Sequence, residues 1–540
     1  MTCLSLLLLM LGQAPEAPAA APTPTPLRWG VDDAGGPPNA ETLPWLGDAF
    51  EDLGINLWVV HARDAHRVAE KLELIRRVDA WCDVRGIDWI CNIEGPNWIA
   101  EHVDDQGRDW YNREDGRHFG LYPDDILAEY GRAKRLLGIM YDEAAHMQNC
   151  RNMILNNMVP FKPWIYDPGD DTLEKAADHF TEAVAEVAQR HEKHGIPLYT
   201  EHVFPVLYHA FARAGWTPCS KILKEGWTPV YAAMTLGAAL QYETEFWLTP
   251  DLWGLGDYPG HSLDEYRSAL LVAYHLGADC IYTENLAFDH EQAGKGSLIL
   301  VTGEEGYRLT DYGRATGDFI KNYVPAHPRH YRFQDVRPRV AIVRQPDACW
   351  GQKGSWLGDR LFGNDAWPTN AQTEGRLHIW SLLTRGVIPR EGLSWNGGGP
   401  YVGRPFQVFV PLDGVIEFDH HVTAPRLDGV EVIFLTGVGV TPETQGYVGE
   451  CVRQGATCVA FPHLLPEAVR AQTGDNGKLN DGAGLWMATT DFLSEAVREC
   501  VAHVIPEEDI IRYRFGDTVV TFHPTDGDPN RLAVTVAPAE

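Results

Sequence analysis

The stretch INLWVVHARDAHRVAEKLELIRRVDAWCDVRGIDWICNIEGPNW (55–98) contains two apolar runs separated by one amphipathic run. The runs INLWVVHAR (55–63) and IDWICNIEGPNW (87–98) are nearly continuous in apolar residues, as strands buried on both faces are. The segment between them has the apolar spacing of a helix and ends at Gly86, a typical C-terminal cap. This order predicts a strand, a helix and a second, parallel strand.

The same alternation continues on both sides of this stretch, from Leu27 to about Pro325. The other strand-like runs are LRWGVDD (27–33), GIMYDEAAH (138–146), PLYTEHV (197–203), SKILKEGW (220–227), EFWLTPDLWG (245–254) and DCIYTENLAF (279–288). Eight such units in about 300 residues predict a (β/α)8 TIM barrel. An open doubly wound sheet is the rival interpretation. It favours a GxGxxG loop after the first strand, which DDAGGPP (32–38) does not provide.

A second, smaller α/β unit is predicted after the barrel. Its strands are RPRVAIVRQ (337–345), VEVIFLTGVGVTP (430–442) and ATCVAFP (456–462), and its helices are LHIWSLLTRG (377–386) and PETQGYVGECVRQG (442–455). The alternating stretch 509–538, with turn residues at 515–517 and 525–529, predicts C-terminal β-hairpins. The predicted domains are therefore a signal peptide and linker (1–26), the barrel (27–328), the second α/β domain (329–505) and a β-hairpin segment (506–540).

The N-terminal run LSLLLLM (4–10) is too short to span a bilayer, which takes about 20 residues. Small and Pro-rich residues follow it in QAPEAPAAAPTPTP (13–26), a pattern typical of a signal peptide and linker. We therefore expect a secreted or periplasmic protein. The alternative is a disordered tail with a chance apolar start.

The overall composition excludes several classes of protein. Lys and Arg number 45 against 75 Asp and Glu, a net charge of −30, which disfavours binding to nucleic acid or to anionic membranes. Ten cysteines in 540 residues are too few for a disulfide scaffold. The 18 Trp residues fit either a large core or a cleft lined with aromatic rings, and the sequence leaves both interpretations open.

In a barrel of this kind the functional residues lie at the C-terminal ends of the strands. Those ends carry Asp32 and Asp33, His61 and Arg63, Glu94 and Trp98, Asp142 and Glu143, Glu201 and His202, Lys224 and Glu225, Asp251 and Trp253, and Glu284 and Asn285. Unpaired carboxylates are costly to bury among apolar strand residues, so this distribution is not expected by chance. It predicts one acidic mouth interleaved with Trp.

Two carboxyl groups on either side of a sugar are the minimum machinery for glycoside hydrolysis, and aromatic rings stack on sugar faces. We assign Glu143 as general acid/base and Asp251 as nucleophile, with Glu201 competing for that second role. The predicted substrate-binding residues are Asp32, His61, Glu94, Trp98, Asp142, Glu225, Trp253, Glu284 and Asn285.

Each assignment has a structural alternative. Asp142 could cap a helix that has Glu143 in its first turn. Asp251 could be a turn residue after Pro250, and Glu225 could pair with Lys224. The side chains of His61, Trp98 and Trp253 could simply pack.

Other chemistries find little support in the sequence. HExxH, GxSxG and GxxxxGK[ST] motifs are missing, and the pair Asp142 and His146 is a weak metal signal. We predict no cofactor and no metal. Two rivals remain: a non-catalytic carbohydrate-binding protein, and a metal-dependent hydrolase or isomerase that uses His61, Glu94, Asp142 and Glu201.

This arrangement resembles the retaining (β/α)8 glycoside hydrolases, and its domain order resembles the family 42 β-galactosidases. The stretch VEVIFLTGVGVTPETQGYVGECVRQGATCVAFP (430–462) carries the resemblance to their glutamine-amidotransferase-like second domain. The resemblance implies hydrolysis of an oligo- or polysaccharide, an acid/base at Glu143, a nucleophile after the seventh strand, and homo-oligomer contacts through the second domain. Asp142-Glu143 stands where that family has Asn-Glu, and Asp251 stands where it has Glu.

Overall fold

The computed structural model describes residues 27–33, 39–61, 68–93, 122–149, 165–202, 204–223, 226–252, 261–288, 296–302, 306–347, 360–390 and 408–539. The predicted signal peptide and linker lie outside the described residues. Within the described ranges, no helix is both long enough and apolar enough to cross a membrane.

The first half of the chain forms a closed barrel of eight parallel strands in sequential order. The strands are β1 (Arg28–Asp32), β2 (Leu57–His61), β3 (Asp88–Asn92), β4 (Leu136–Asp142), β5 (Leu198–His202), β6 (Thr217–Ile222), β7 (Trp247–Pro250) and β8 (Cys280–Glu284). Pairing of β1 with β8 closes the sheet, so the predicted barrel is confirmed and the open-sheet alternative is wrong. The placement of the sixth strand over 220–227 is also wrong, since β6 ends at Ile222.

Helices alternate with these strands. Those described are Leu46–Leu53, Val68–Arg85, Asp124–Tyr130, Ala144–Asn149, Leu173–Glu192, Tyr208–Arg213, Thr228–Tyr242, Leu263–His275 and Asp311–Asp318. A small sheet of β9 (Ala287–Phe288), β10 (Ile299–Val301) and β11 (Tyr307–Leu309) follows β8. The first of these helices ends at the glycine cap that the sequence predicts: Gly54 follows Leu53 and has φ 77°.

Side chains from alternate strand positions fill the barrel interior. This inner cluster consists of Leu57, Val59, Ile90, Met140, Tyr199, Cys219, Trp247, Cys280 and Tyr282. Gly30 belongs to the same layer, because a Cβ at that position would lie 2.6 Å from Tyr282 Cβ. The barrel is therefore a packed core rather than a channel, and any polar site must lie above this layer.

The second unit contains a six-stranded sheet in the order β15-β13-β16-β17-β19-β18. Its strands are β13 (Val340–Arg344), β15 (Val415–Asp419), β16 (Val432–Thr436), β17 (Thr457–Ala460), β18 (Lys478–Asp481) and β19 (Gly484–Ala488), and its helices are Ala371–Leu383, Ala424–Leu427, Pro442–Gln454, Glu467–Thr473 and Glu495–Val501. Only β18 is antiparallel. The five parallel strands follow the 2-1-3-4-5 order of flavodoxin-like folds.

The C-terminal strands form a separate sheet: β20 (Ile511–Phe515), β21 (Thr518–Thr525) and β22 (Asp528–Pro538). Two short segments from earlier in the chain complete it, since β12 (Val336–Arg337) and β14 (Leu412–Asp413) both pair with β20. The last β segment is therefore not an independent hairpin: it pairs with a strand at the start of the preceding unit and with another in its middle.

The barrel and the second sheet share an extensive interface. The helix Thr228–Tyr242 lies so close to β15 that a Cβ on Gly237 would lie 1.7 Å from Glu417 O. His209 Nε2 lies 3.0 Å from the same carbonyl oxygen. The buried Arg344, at the end of β13, donates from Nη2 to Val206 O at 2.6 Å, in the segment that follows β5. The second sheet thus supports a loop at the barrel mouth.

All seven cysteines in the described ranges are free thiols. Five of them are buried, at positions 82, 91, 219, 280 and 458. In this part of the chain, packing rather than disulfide cross-linking holds the fold together.

Candidate active site

Strand periodicity places one polar residue per strand directly above the inner apolar layer. In β4, for example, Met140 faces the barrel interior and Asp142, two residues later, faces the mouth. The resulting ring consists of Asp32, His61, Asn92, Asp142, Glu201, Lys221, Asp251 and Glu284. All are buried except His61, whose side chain is 10% exposed. The predicted convergence of strand-end carboxylates is therefore present.

Lys221, at the penultimate position of β6, lies at the centre of this ring. Its Nζ is 2.6 Å from Glu284 Oε2, and the other three carboxylate oxygens lie within 4.0 Å of it: Asp142 Oδ2 at 3.7 Å, Glu201 Oε2 at 4.0 Å and Asp251 Oδ2 at 4.0 Å. Four carboxyl groups from four strands therefore fall inside one sphere of 4.0 Å radius around a single ammonium nitrogen.

Sequence reasoning missed Lys221. It placed the sixth strand a few residues too late and so assigned its end to Lys224 and Glu225, both outside the described residues. The signal that could have found it is the alternation Cys219, Lys221 within β6, because a Lys two residues beyond an inward apolar residue must itself point inward.

Asn92 connects the carboxylates of Asp142 and Glu201, which lie on the neighbouring strands β4 and β5. Its Nδ2 lies 3.3 Å from Asp142 Oδ2 and 3.5 Å from Glu201 Oε2. Asp142 and Glu201 are also direct partners in the register of β4 and β5. An amide donor shared by two neighbouring carboxyl groups reduces their repulsion without adding charge.

The first two strands contribute an Asp–His pair. His61 Nδ1 is 2.5 Å from Asp32 Oδ1, and the His61 backbone N–H donates to Asp33 Oδ1 at 2.7 Å. Ligand atoms of Asp32, Asp33 and His61 all lie within 4.8 Å of one another, so these three residues could also hold a divalent cation. The structure thus groups His61 with Asp32 and Asp33.

Glu143 follows β4 and has an unusual backbone. Its φ is 52°, a left-handed conformation that costs a non-glycine residue of order 1–3 kcal/mol and that is concentrated at functional sites. Its N–H donates to Glu201 O at 2.7 Å, which fixes it beside the ring. The helix begins only at Ala144, and Asp142 belongs to β4. The alternative in which Glu143 sits in the first helical turn, capped by Asp142, is therefore wrong.

The pKa values of Glu201 and Lys221 are both raised, for different reasons. Burial, together with the nearby Asp142, Glu284 and Asp32, raises the pKa of Glu201 well above its usual range, although Lys221 opposes the shift. Burial alone would lower the pKa of Lys221, but the surrounding carboxylates outweigh it and raise that pKa. Lys221 therefore stays charged to a higher pH than an ordinary lysine, and Glu201 keeps its proton to a higher pH than an ordinary glutamate.

The remaining predicted residues divide into two groups. Asp251 and Glu284 are joined by a parallel bridge between β7 and β8, and Asn285 follows Glu284 as a buried residue. Glu94, Trp98, Glu225 and Trp253 lie outside the described residues, as does the side chain of His146. His202 does not join the ring; its Nδ1 lies 2.7 Å from the backbone N of Phe204.

Comparison with solved structures finds similar barrels. The exo-β-1,4-mannosidase Op5Man5 from Opitutaceae bacterium strain TAV5 matches with a TM-score of 0.51 at 11% identity, over 89% of this chain and 97% of that chain. GH5_18 from Streptomyces cattleya matches with a TM-score of 0.40 at 13% identity, over 73% and 99%. D-psicose 3-epimerase from Clostridium cellulolyticum H10 matches with a TM-score of 0.29 at 13% identity, over 55% and 99%.

No protein-family model and no curated protein sequence matches the chain. At these identities the likeness to Op5Man5 concerns the fold, and it covers nearly all of both chains. The chain is thus a (β/α)8-barrel protein whose architecture is shared with glycoside hydrolases. The relation to family 42 and to amidotransferases stays a prediction.

Proposed function

We propose that the protein is a glycoside hydrolase whose catalytic carboxyl groups lie at the C-terminal mouth of the barrel. The observation that carries the proposal is the convergence of Asp142, Glu201, Asp251 and Glu284 on Lys221 Nζ, with Glu143 directly beside Glu201. Glycosidic cleavage needs two carboxyl groups that face each other across the scissile bond, and this mouth provides several.

Glu143 is the proposed general acid/base. It is half-buried, stands between β4 and the helix Ala144–Asn149, and has a strained backbone conformation with a hydrogen bond to β5. In the first step its carboxyl proton passes to the glycosidic oxygen, the opposing carboxylate bonds to the anomeric carbon, and the bond from that carbon to the glycosidic oxygen breaks. In the second step the Glu143 carboxylate takes a proton from a water that bonds to the anomeric carbon, and the bond from that carbon to the opposing carboxylate breaks.

Asp251 is the proposed opposing carboxylate. It directly follows β7, on the opposite side of β6 from β4 in the strand order, and its Oδ2 is 4.0 Å from Lys221 Nζ. A nucleophile must be ionised to attack the anomeric carbon. Burial raises the pKa of Glu201, which counts against Glu201 as the nucleophile. The mechanism proposed here is therefore retaining.

The substrate proposed for the first assay is a β-mannoside, because Op5Man5, the neighbour with the similar barrel, is an exo-β-1,4-mannosidase. Export through the N-terminal segment 1–26 is part of the same proposal, since an extracellular enzyme meets oligo- and polysaccharides directly.

A panel of aryl β-glycosides and 2-fluoro glycosyl fluorides tests this function. The wild-type protein should release the aryl group from at least one glycoside, and a matching 2-fluoro sugar should label the Asp251 peptide covalently. Label on Glu201 would move the nucleophile to β5. Failure to cleave any glycoside, combined with a glycan-dependent rise in melting temperature, would replace the hydrolase with a carbohydrate-binding protein.

A metal-dependent hydrolase is the second candidate, and the proximity of Asp32, Asp33 and His61 favours it. Dialysis against a chelator distinguishes the two. Activity that disappears and returns with a divalent ion would support the metal-dependent reaction. Activity that survives dialysis supports the two-carboxylate mechanism, because that reaction needs only protein carboxyl groups and water.

A further inference from the structure

A second cluster of ligating side chains lies away from the barrel mouth, where a barrel helix meets the second sheet. Asp178 is on the helix Leu173–Glu192, while His420 and His421 follow β15 directly. Asp178 Oδ1 is 3.1 Å from His421 Nε2 and 3.7 Å from His420 Nε2. Two imidazoles from one segment therefore converge on one carboxylate oxygen from another.

These spacings are those of a metal coordination shell. Ligand atoms about 2.1 Å from a tetrahedral metal ion lie about 3.4 Å from one another. The two measured distances lie on either side of this value, and all three ligand atoms lie within 4.8 Å of one another. Two His and one Asp are a donor set suited to Zn²⁺ and related transition ions.

His420 is the more buried of the two histidines. Its side chain is only 6% exposed, and its Nδ1 is buried with no hydrogen-bond partner among the described residues. A buried imidazole without such a bond loses its hydration without compensation. His421 is 34% exposed and leaves the cluster open to entry from solvent.

Asp178 also pairs with a cationic side chain of the protein. Arg213 donates to Asp178 Oδ1 at 2.5 Å and to Thr181 Oγ1 at 2.8 Å. A carboxylate has about four lone-pair sites, so it can accept from Arg213 and bind a metal at once.

We propose that Asp178, His420 and His421 form a structural site for a divalent transition-metal ion such as Zn²⁺, with water as the fourth ligand. The ion would join the barrel to the second sheet and so stabilise their interface. None of the three residues belongs to the ring at the barrel mouth, and the site is independent of the proposed hydrolase reaction.

Metal binding by the full-length protein, freed of metal by chelator dialysis, tests this site. Calorimetric titration with Zn²⁺ should show one equivalent bound by the wild type that His421→Ala and Asp178→Asn both lose. Zn²⁺ should raise the melting temperature of the wild type, because a ligand that binds the folded state stabilises it. His330→Ala, at an exposed histidine, is the matched control and should bind as the wild type does.

Cobalt absorption provides a readout that needs no variant. Co²⁺ bound by two imidazoles and one carboxylate in a tetrahedral site should give strong visible bands in the wild type, and Zn²⁺ should displace them. An unchanged binding stoichiometry in His421→Ala and Asp178→Asn would overturn the proposal. The wild type binding neither Zn²⁺ nor Co²⁺ would do the same, whether or not the variants fold.

Discussion

Lys221 Nζ lies 2.6 Å from Glu284 Oε2, in a position where the Lys221 side chain is only 2% exposed. This pair joins β6 to β8 across the barrel mouth, and three further carboxylates surround the same nitrogen. A buried charge is tolerated only when it is paired, so the acidic ring and its single lysine depend on each other.

Lys221→Met should therefore destabilise the fold and abolish activity. Removal of one partner from a buried ion pair typically costs 3–5 kcal/mol, about the loss in unfolding free energy expected here. Chemical denaturation measures this loss, with Lys175→Met at an exposed position as the control. The double variant Lys221→Met/Glu284→Gln should recover part of the lost stability. A Lys221→Met protein as stable as the control would contradict the role of this lysine.

Glu201→Gln should change how stability depends on pH. Because burial raises the pKa of Glu201, the folded protein keeps a proton that the unfolded chain releases near pH ~4.3. The wild type therefore loses stability, relative to Glu201→Gln, as pH rises from this value towards the raised pKa. The slope is at most about 1.4 kcal/mol per pH unit.

Denaturation curves between pH 5 and pH 8 measure this difference. Glu182→Gln, on the exposed face of the helix Leu173–Glu192, controls for the loss of a carboxylate as such. If wild-type and Glu201→Gln stabilities ran parallel over this range, the protonation assigned to Glu201 would be wrong.

Gln148→Leu should lower turnover because it displaces Glu143. The buried Gln148 side chain donates to Tyr166 O at 2.8 Å and to Phe362 O at 3.0 Å, and accepts from Tyr166 N at 3.0 Å. These bonds fix the helix Ala144–Asn149, which starts directly after Glu143. Each buried group left unpaired costs about 1–3 kcal/mol.

We expect kcat to fall about tenfold or more in Gln148→Leu with a smaller change in KM, because the acid/base residue moves while the other ring residues stay. The exposed Gln472, whose Nε2 donates to Ala468 O within its own helix, provides the control variant Gln472→Leu. Equal kinetics in the two variants would show that this support is not needed.

Gly237→Ala should destabilise the interface between the barrel and the second sheet. In a free helix the change from Gly to Ala gains about 1 kcal/mol. At Gly237, however, the new Cβ would lie 1.7 Å from Glu417 O, so helix and strand must separate. Gly446→Ala, where a Cβ meets nothing within 4 Å, is the matched helical control. The melting temperature should fall in the first variant and rise slightly in the second.

The barrel could be predicted from sequence because strands buried on both faces are nearly continuous runs of apolar residues, and because Gly54 and Gly86 mark helix ends. Most ring carboxylates followed from the rule that barrel sites lie at strand ends. Lys221 was missed because the sixth strand was predicted over 220–227, and the strand register shows that it ends at Ile222.

The pairing of distant segments could not be predicted from the sequence either. The sequence gives no local sign that β12 and β14 join β20, or that His420 and His421 meet Asp178 from a barrel helix. Such contacts depend on how whole units pack, and a single chain pattern reports only the periodicity within each element.

Azide rescue of Glu143→Ala tests the central assignment most directly. With an aryl glycoside that the wild type cleaves, the variant should lose most of its turnover, because position 143 no longer carries a carboxylate that activates water. Azide, a nucleophile that needs no general base, should restore turnover and yield a glycosyl azide. A Glu143→Ala protein with wild-type kcat in the absence of azide would contradict the account.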